Sequence, residues 1–305
     1  MHLIETKDLC YSYSTSKSSV LTNINFTADN KQRIAVLGPN GAGKSTLFRH
    51  FNGILKPVSG SVLIDGNPIT KSNLAEVRRL IGLVFQNPDD QVFSTTVEQD
   101  IAFGPYNLGL DEEEVQKRVD AVVHMLGLED LRNRPPHQIS GGEKKRAAIA
   151  GVLAMKPQVM VLDEPTAGLD PQGVSELFGF LNELPNTLGC TVIYSTHQVE
   201  LVPEMADVVY VMEKGQITGK GTPSEIFMKD DLLKSARLDL PALPKLIKSL
   251  REAGVEIDNA FSYQDAEDSF MKAFGKEPKK RVVQPAVHRD HPHIHEHPHK
   301  HSNEQ

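Results

Sequence analysis

The chain contains one motif whose residues could bind phosphate, G-x-x-x-x-G-K-[S/T]. It covers Gly38, Pro39, Asn40, Gly41, Ala42, Gly43, Lys44, Ser45 and Thr46. In such a loop the glycines let backbone N–H groups turn inward as donors to phosphate oxygens. Lys44 would then reach the β- and γ-phosphates, and the Ser45 hydroxyl would bind Mg²⁺. The residues predict a site for a nucleoside triphosphate; the alternative is a glycine-rich turn before a helix.

Polar side chains that suit phosphoryl transfer follow three other apolar runs: Gln86, the pair Asp163 and Glu164, and His197. Ligands of an open α/β sheet gather at the carboxyl ends of its strands, so these side chains are expected to meet around the phosphate loop. There Asp163 would hold Mg²⁺, and Gln86 would contact both metal and water. Glu164 would polarise an attacking water, and His197 would contact the γ-phosphate. Taken singly, each has a structural alternative, such as a histidine that merely ends a strand.

The segment Ser140-Gly141-Gly142-Glu143 precedes a run of strong helix formers and supports two interpretations. The structural one is a capping box, in which the first and last of these residues satisfy each other's backbone N–H groups. The functional one is a helix N-terminus with exposed glycine amides, which is a second phosphate site. The loop at 38–46 would already bind the phosphates of the nucleotide in its own subunit. The expected ligand of the second phosphate site is therefore the nucleotide of a second subunit. Both interpretations can hold together.

Hydrophobic patterns predict where the strands and helices lie. Strands are expected at 3–13, 20–28, 33–37, 61–66, 81–86, 159–162 and 191–196, with a hairpin over 208–221. From about 95 to 150 the pattern is helical, with Asp111 and Glu114 as a capping pair and Gly127 as a stop. Strands that alternate with helices indicate an α/β core. Tyr13, at the end of the first strand, either stacks on a purine or packs on the sheet.

Composition narrows the class of protein. A chain of 305 residues can bury a large core, and a hydrophobic fraction of 39% suits a soluble protein. No apolar run approaches the ~18 residues needed to span a bilayer, and the N-terminus lacks the apolar region of a signal peptide. Cys10 and Cys190 are far apart, which indicates a reducing compartment. The net charge of −7 argues against a nucleic-acid partner.

The composition changes after about residue 226. Residues 227–275 are expected to form a small C-terminal helical extension, and residues 276–305 a disordered tail. Seven of the twelve histidines lie in that tail: His288, His291, His293, His295, His297, His299 and His301. Neutral imidazoles on a flexible chain can converge on one metal ion, with an affinity order that favours Ni²⁺ and Cu²⁺ over Co²⁺. The interleaved Pro, Ile, Glu and Lys are unlike a purification tag. Delivery or storage of a transported metal, generic metal buffering and a solvated tail without a role are the alternatives.

From residue 1 to about 226 the motifs resemble those of the ATP-binding subunit of an ATP-binding-cassette (ABC) transporter. They occur in that family's order: the phosphate loop, Gln86, 139–143, 159–164, 167–170 and His197. The resemblance implies a RecA-like core with an antiparallel β subdomain and a helical subdomain at about 88–150. It also implies ATP and Mg²⁺ as cofactors, Tyr13 stacked on the base, and a dimer in which each ATP lies between one phosphate loop and the partner's Ser140-Gly141-Gly142 segment. The chain departs from the family pattern at Ile139 and Glu143, where leucine and glutamine are usual.

Within that family, segments 85–93, 103–109 and 140–151 resemble those of energy-coupling-factor importers. Such importers pair two ATPase subunits, identical or related, with a transmembrane coupling protein and a substrate-binding membrane protein. The resemblance implies a peripheral ATPase on the cytoplasmic face of the cell membrane, whose residues 87–109 receive the coupling helices. Those residues could instead be an ordinary helical surface. Together with the histidine tail, the resemblance favours the cobalt and nickel branch of these importers.

Three other functions stay open at this stage. The same machinery could import a vitamin such as biotin. A soluble ABC ATPase outside transport would usually carry two cassettes or a basic face, and this chain shows one phosphate loop and a net charge of −7. A metal-storage protein with incidental nucleotide binding is favoured by the tail alone.

Overall fold

The computed structural model describes residues 2–14 and 18–277. The seven tail histidines, from His288 onwards, lie outside the described residues. In the described part of the chain there are ten strands: β1 (Ile4–Tyr11), β2 (Leu21–Ala28), β3 (Arg33–Leu37), β4 (Ser59–Ile64), β5 (Asn67–Pro68), β6 (Ile81–Val84), β7 (Val159–Leu162), β8 (Thr191–Thr196), β9 (Val208–Glu213) and β10 (Gln216–Gly221). There are also eleven α-helices: α1 (Lys44–Phe51), α2 (Leu74–Leu80), α3 (Val97–Asn107), α4 (Glu112–Met125), α5 (Gly141–Leu153), α6 (Pro171–Thr187), α7 (Val202–Met205), α8 (Pro223–Phe227), α9 (Asp230–Ser235), α10 (Ala242–Glu252) and α11 (Tyr263–Ala273).

The main sheet has the order β10-β9-β3-β8-β7-β6 and is parallel except where β10 pairs with β9. Strands β7 and β8 are buried along their whole length, which explains the continuous apolar sequence of β7. The predicted α/β class is therefore confirmed. In a parallel sheet all carboxyl ends point to one edge, and here that edge carries the ends of β3, β6, β7 and β8.

A second sheet, with the order β2-β1-β4-β5, is antiparallel. Its buried side chains form one hydrophobic cluster with α1 and with one face of the main sheet. Phe26 of β2 packs 4.9 Å from the ring of Phe51 on α1 and 4.4 Å from the ring of Tyr210 on β9. Helix α1 is thereby held between the sheets, so the loop that precedes it has a fixed support. The first strand ends at Tyr11, and Tyr13 lies just beyond it rather than on the strand as predicted.

Helices α3, α4 and α5 cover the other face of the main sheet together with α6, and their apolar side chains form a second cluster. The predicted helical region is confirmed, and so is the N-cap of α4, because Asp111 Oδ1 accepts a hydrogen bond from Glu114 N at 2.9 Å. Helix α4 ends at Met125, and Gly127 follows with φ +62°, the left-handed conformation that suits glycine after a helix.

The C-terminal helices have a small cluster of their own. It consists of Ile247, Ile257, Ala260 and Ala266, contributed by α10, α11 and the chain between them. Helix α8 crosses residue 226, where the sequence pattern suggested a division, and it packs against β9 and β10. The divisions 1–226, 227–275 and 276–305 stay predictions. Among the helices of the described residues, none combines the length and the apolar character that a membrane span requires.

Candidate nucleotide-binding site

The predicted site residues meet at the carboxyl edge of the main sheet. A cavity of about 370 Å³ is lined by Val20, residues 40–46, Gln86, Asp163 and Glu164. A larger groove of about 920 Å³ lies beside α4, but its surface is mostly apolar and it includes none of the predicted site residues. Phosphate needs convergent donors and cations, which the smaller cavity supplies. The structure thus places Gln86, Asp163, Glu164 and most of the phosphate loop around one space.

Glycines shape the loop that follows β3. Gly38 has φ +150°, and a Cβ there would lie 2.2 Å from the carbonyl oxygen of Met212. Gly43 has φ +104°, and a Cβ would lie 2.8 Å from Leu21 Cδ2. A larger residue at either position would force the loop away from the sheet edge. Helix α1 begins directly after Gly43, so its free N–H groups and the positive end of its dipole point into the cavity.

Lys44 joins the loop to the acidic end of β7. Its side chain is 6% exposed, and Nζ donates to Gly38 O at 2.7 Å and to Pro39 O at 3.2 Å. The same Nζ lies 3.5 Å from Glu164 Oε1, which is buried and accepts no hydrogen bond from the described residues. An unsatisfied carboxylate oxygen inside a cavity is a strong acceptor, so this atom is available to a ligand or a water.

Ser195 organises the two carboxylates, and sequence reasoning missed it. Its Oγ donates to Asp163 Oδ1 at 2.6 Å and accepts a hydrogen bond from Glu164 N at 2.9 Å. The ring nitrogen Nδ1 of His197 lies 2.9 Å from Glu164 Oε2. These contacts hold Glu164 at φ +45°, a conformation that costs a non-glycine residue about 1 kcal/mol or more. One signal in the sequence could have identified Ser195: it lies two residues before His197, near the end of the same strand. That strand pairs with β7 in the structure.

Oxygen ligands for a hard cation lie in the same cavity. The Ser45 hydroxyl, the Gln86 amide and the Asp163 carboxylate all line it, and Mg²⁺ prefers such oxygen donors. The residues therefore fit the metal that the phosphate loop predicted. Gln86 follows β6 in a loop, and the buried ammonium of Lys145 on α5 donates to its carbonyl oxygen. Lys145 was also missed from sequence, because it stands between two other basic residues, Lys144 and Arg146, and nothing in the sequence marks it as the buried one.

Tyr13 lies beside the loop. Its hydroxyl is 3.2 Å from Thr46 Oγ1, and its ring packs edge-on against Tyr11 at 5.0 Å. The side chain is half-buried. Its proposed role as the aromatic that stacks on the base stays a prediction.

The segment Ser140-Gly141-Gly142 lies outside the cavity of its own chain. The capping box is confirmed, because Ser140 N donates to Glu143 Oε2 at 2.7 Å and Glu143 N donates to Ser140 Oγ at 3.3 Å. The backbone hydrogen bond from Ser140 lowers the pKa of the Glu143 carboxyl. Glutamate in place of the usual glutamine therefore serves as a cap, and Ser140 itself is exposed at the start of α5.

His50 supports the loop from behind. It is fully buried on α1, with Nδ1 2.7 Å from Thr46 O and its ring 4.7 Å from that of Tyr11. The other ring nitrogen, Nε2, has no hydrogen-bond partner among the described residues. Burial lowers the pKa of His50, since a charged ring would lose its hydration.

Comparisons with known sequences all point to the same protein family. The model of the ABC transporter family matches residues 21–167. The energy-coupling factor transporter ATP-binding protein EcfA of Methanoculleus marisnigri is 62% identical over 276 residues, which cover 90% of this chain and 99% of that protein. EcfA of Methanocaldococcus jannaschii is 54% identical over 254 residues, which cover 83% of this chain and 90% of that protein.

Solved structures share the fold. CbiO1 of Clostridium perfringens, described as part of the ABC transporter complex CbiONQ, matches with a TM-score of 0.69 at 44% identity and covers 81% of this chain and 99% of that chain. A dimeric ATP-binding cassette in a post-hydrolysis state, bound to ADP and phosphate, matches with a TM-score of 0.67 at 26% identity and covers 72% and 98%.

Because burial lowers the pKa of His50, the unfolded chain binds more protons than the folded one below about pH 6.5. The free energy of unfolding should therefore fall as the pH drops from 6.5, with a slope from this residue of at most about 1.4 kcal/mol per pH unit. His50→Phe keeps the packing on Tyr11 and should show a smaller slope. Urea unfolding of the unaltered protein and of the variant at several pH values between 7.5 and 5.5 measures this slope. Identical slopes for the two proteins would contradict the attribution of the pH dependence to His50.

Proposed function

This chain belongs to the ABC transporter family, as an ATP-binding subunit of the energy-coupling-factor type, and on that basis we propose that its ATP hydrolysis drives the uptake of cobalt or nickel ions. The observation that carries the ATP-hydrolysing part of the proposal is the meeting of residues 40–46, Gln86, Asp163 and Glu164 in one cavity. The likeness to CbiO1 of the CbiONQ complex supports the transport role. The choice of metal rests on that likeness together with the histidine tail.

The roles proposed for the site residues follow from their contacts. The loop amides and Lys44 bind the β- and γ-phosphates, and Lys44 can exchange its present carbonyl partners for phosphate oxygens. Ser45, Gln86 and Asp163 would hold Mg²⁺, which supplies neutralisation of charge on the β- and γ-phosphate oxygens. Asp163 is positioned for this by its hydrogen bond from Ser195.

Glu164 is proposed as the residue that orients the attacking water. The water oxygen attacks the γ-phosphorus, the bond from that phosphorus to the bridging oxygen breaks, and the water proton passes to Glu164. Its Oε1 has no hydrogen-bond partner among the described residues and can accept the proton, while Oε2 is held by His197. His197 is 53% exposed and can also contact the γ-phosphate.

The partner's Ser140-Gly141-Gly142 segment is proposed to complete each site. In its own chain this segment does not line the nucleotide cavity, and α5 begins at an exposed serine. The capping box uses the N–H groups of Ser140 and Glu143 and leaves those of the two glycines for a ligand. Such a terminus suits an anion carried by another molecule. The partner is a second copy of this chain or a related ATPase subunit, arranged so that two ATP molecules lie between the two subunits.

Residues 87–109 are proposed as the surface that receives the membrane partners. Three of their aromatic side chains are exposed: Phe93 at 66%, Phe103 at 49% and Tyr106 at 47%. Phe93 and Phe103 pack edge-to-face at 4.9 Å, which makes a single apolar patch. A transmembrane coupling protein would insert a helix there, and a substrate-binding membrane protein would complete the importer. The ATPase would then lie peripherally on the cytoplasmic face of the membrane.

Glu164→Gln should keep ATP binding and lose about 100-fold or more of the turnover, because the amide cannot take the water proton. The closed dimer should accumulate with Mg-ATP. Steady-state hydrolysis and size-exclusion chromatography measure the two effects. Glu176→Gln, on the exposed face of α6, is the matched control and should leave turnover unchanged. Unchanged hydrolysis in the Glu164 variant would remove this residue as the proton acceptor.

Deletion of residues 282–305 should reduce Ni²⁺ or Co²⁺ binding and leave ATP hydrolysis intact. Within residues 2–14 and 18–277 no group of three or more His, Cys, Asp or Glu side chains is placed to hold a metal ion. Calorimetric titration of the full and shortened chains measures the binding, and an ATPase assay gives the control. A tenfold loss of hydrolysis, or metal binding that survives the deletion, would contradict the proposed role of the tail.

A further inference from the structure

The start of α5 is tied to the loop after β6 by two consecutive lysines. Lys145 has a side chain that is 1% exposed, and its Nζ donates to Phe85 O at 3.3 Å and to Gln86 O at 2.5 Å. Lys144 Nζ lies 2.7 Å from Asp89 Oδ1, an ion pair whose carboxylate is largely exposed. An exposed pair of this kind contributes little to stability. The buried contact of Lys145 is therefore the stronger link.

Burial of an ammonium group is costly unless the protein compensates it. Burial lowers the pKa of Lys145, and the carboxylates of Asp163 and Glu164 act in the opposite direction. The charge is thus compensated by two backbone carbonyls and by the negative charge of the two carboxylates that follow β7. An apolar residue would remove the donor that these two part-buried carbonyls share, and the loop after β6 would lose its hydrogen bonds to α5.

Gln86 depends on such contacts because it lies beyond the last residue of β6, Val84. Gln91 holds the preceding part of the loop: its Oε1 accepts from Phe85 N at 3.0 Å, and its Nε2 donates to Leu83 O at 3.3 Å. Lys145 holds the carbonyl of Gln86 itself. Gln86 is one of the residues that line the nucleotide cavity, so a shift of its backbone carbonyl would move a predicted metal contact.

We propose that Lys145 is a positioning residue that fixes Gln86 at the nucleotide site and ties it to the helix that begins at Ser140–Gly142. This inference rests on the proposed function, in which Gln86 serves the nucleotide of its own subunit and Ser140–Gly142 that of the partner. Helix α5 carries the lysine only five residues after Ser140. If the partner's nucleotide displaces α5, Lys145 would pass that displacement to Gln86, which is a predicted Mg²⁺ contact at the nucleotide of its own subunit.

The test is a double-mutant cycle on kcat for ATP hydrolysis, with full-length unaltered protein, Gln86→Ala, Lys145→Met and the double variant. Each single substitution should lower kcat by about 10- to 100-fold, as for residues that orient metal ligands, with the KM for ATP changed much less. If Lys145 acts through Gln86, the double variant should be no slower than the slower single variant. Effects that multiply would overturn the inference.

Three further proteins separate positioning from folding. Lys145→Arg keeps the charge and the donors and should recover most of the kcat. Lys156→Met makes the same change at an exposed lysine after α5 and should leave kcat unchanged. If Lys145→Met does not unfold cooperatively, Lys145→Gln replaces it in the cycle. The inference would be overturned if the Lys145 variants lost kcat only in proportion to their loss of melting temperature and the double-mutant cycle showed no coupling between Lys145 and Gln86. No hydrolysis in the unaltered protein would contradict the proposed function, and the inference with it.

Discussion

The buried pair of Lys44 and Glu164 is the interaction on which the site depends. Both side chains are nearly inaccessible, and neither charge could be kept inside the protein without partners. Lys44 is held by loop carbonyls that glycines bring within reach. Glu164 is held by His197 and by the contact of its backbone with Ser195. The pair therefore requires the loop after β3 and the ends of β7 and β8 to stand at one edge of the sheet, which the parallel order provides.

The layers around the sheet support that edge from both faces. The antiparallel sheet and α1 form a single cluster with one face of the main sheet, so the phosphate loop has a rigid base. Helices α3, α4 and α5 cover the other face and carry Ser140 at one point and exposed aromatic side chains at another. One group of helices thus contains the proposed contact to a second nucleotide and the proposed contact to the membrane. Lys145 joins that group to the loop that contains Gln86.

Much of this could be predicted from sequence because the motifs are local. The phosphate loop, the strand ends at Gln86 and Glu164 and the capping box at Ser140 each depend on residues close together in the chain. What sequence reasoning missed depends on contacts between distant segments. Ser195 is one of three serine or threonine residues in β8, and only the pairing of this strand with β7 brings its hydroxyl to Asp163. His50 on α1 had no local signal, since its neighbour Tyr11 comes from β1, a distant segment of the chain.

The measurement that tests the central claim most directly is an inter-subunit crosslink. Asn40 in the loop and Ser140 at the start of α5 are both exposed, and each would be replaced by cysteine in a Glu164→Gln, Cys10→Ser protein. A short bis-maleimide should join two chains when Mg-ATP is present and leave them separate without nucleotide. A site shared between two copies of this chain would be contradicted if the crosslink formed equally with and without nucleotide, or if no crosslink formed while ATP was bound.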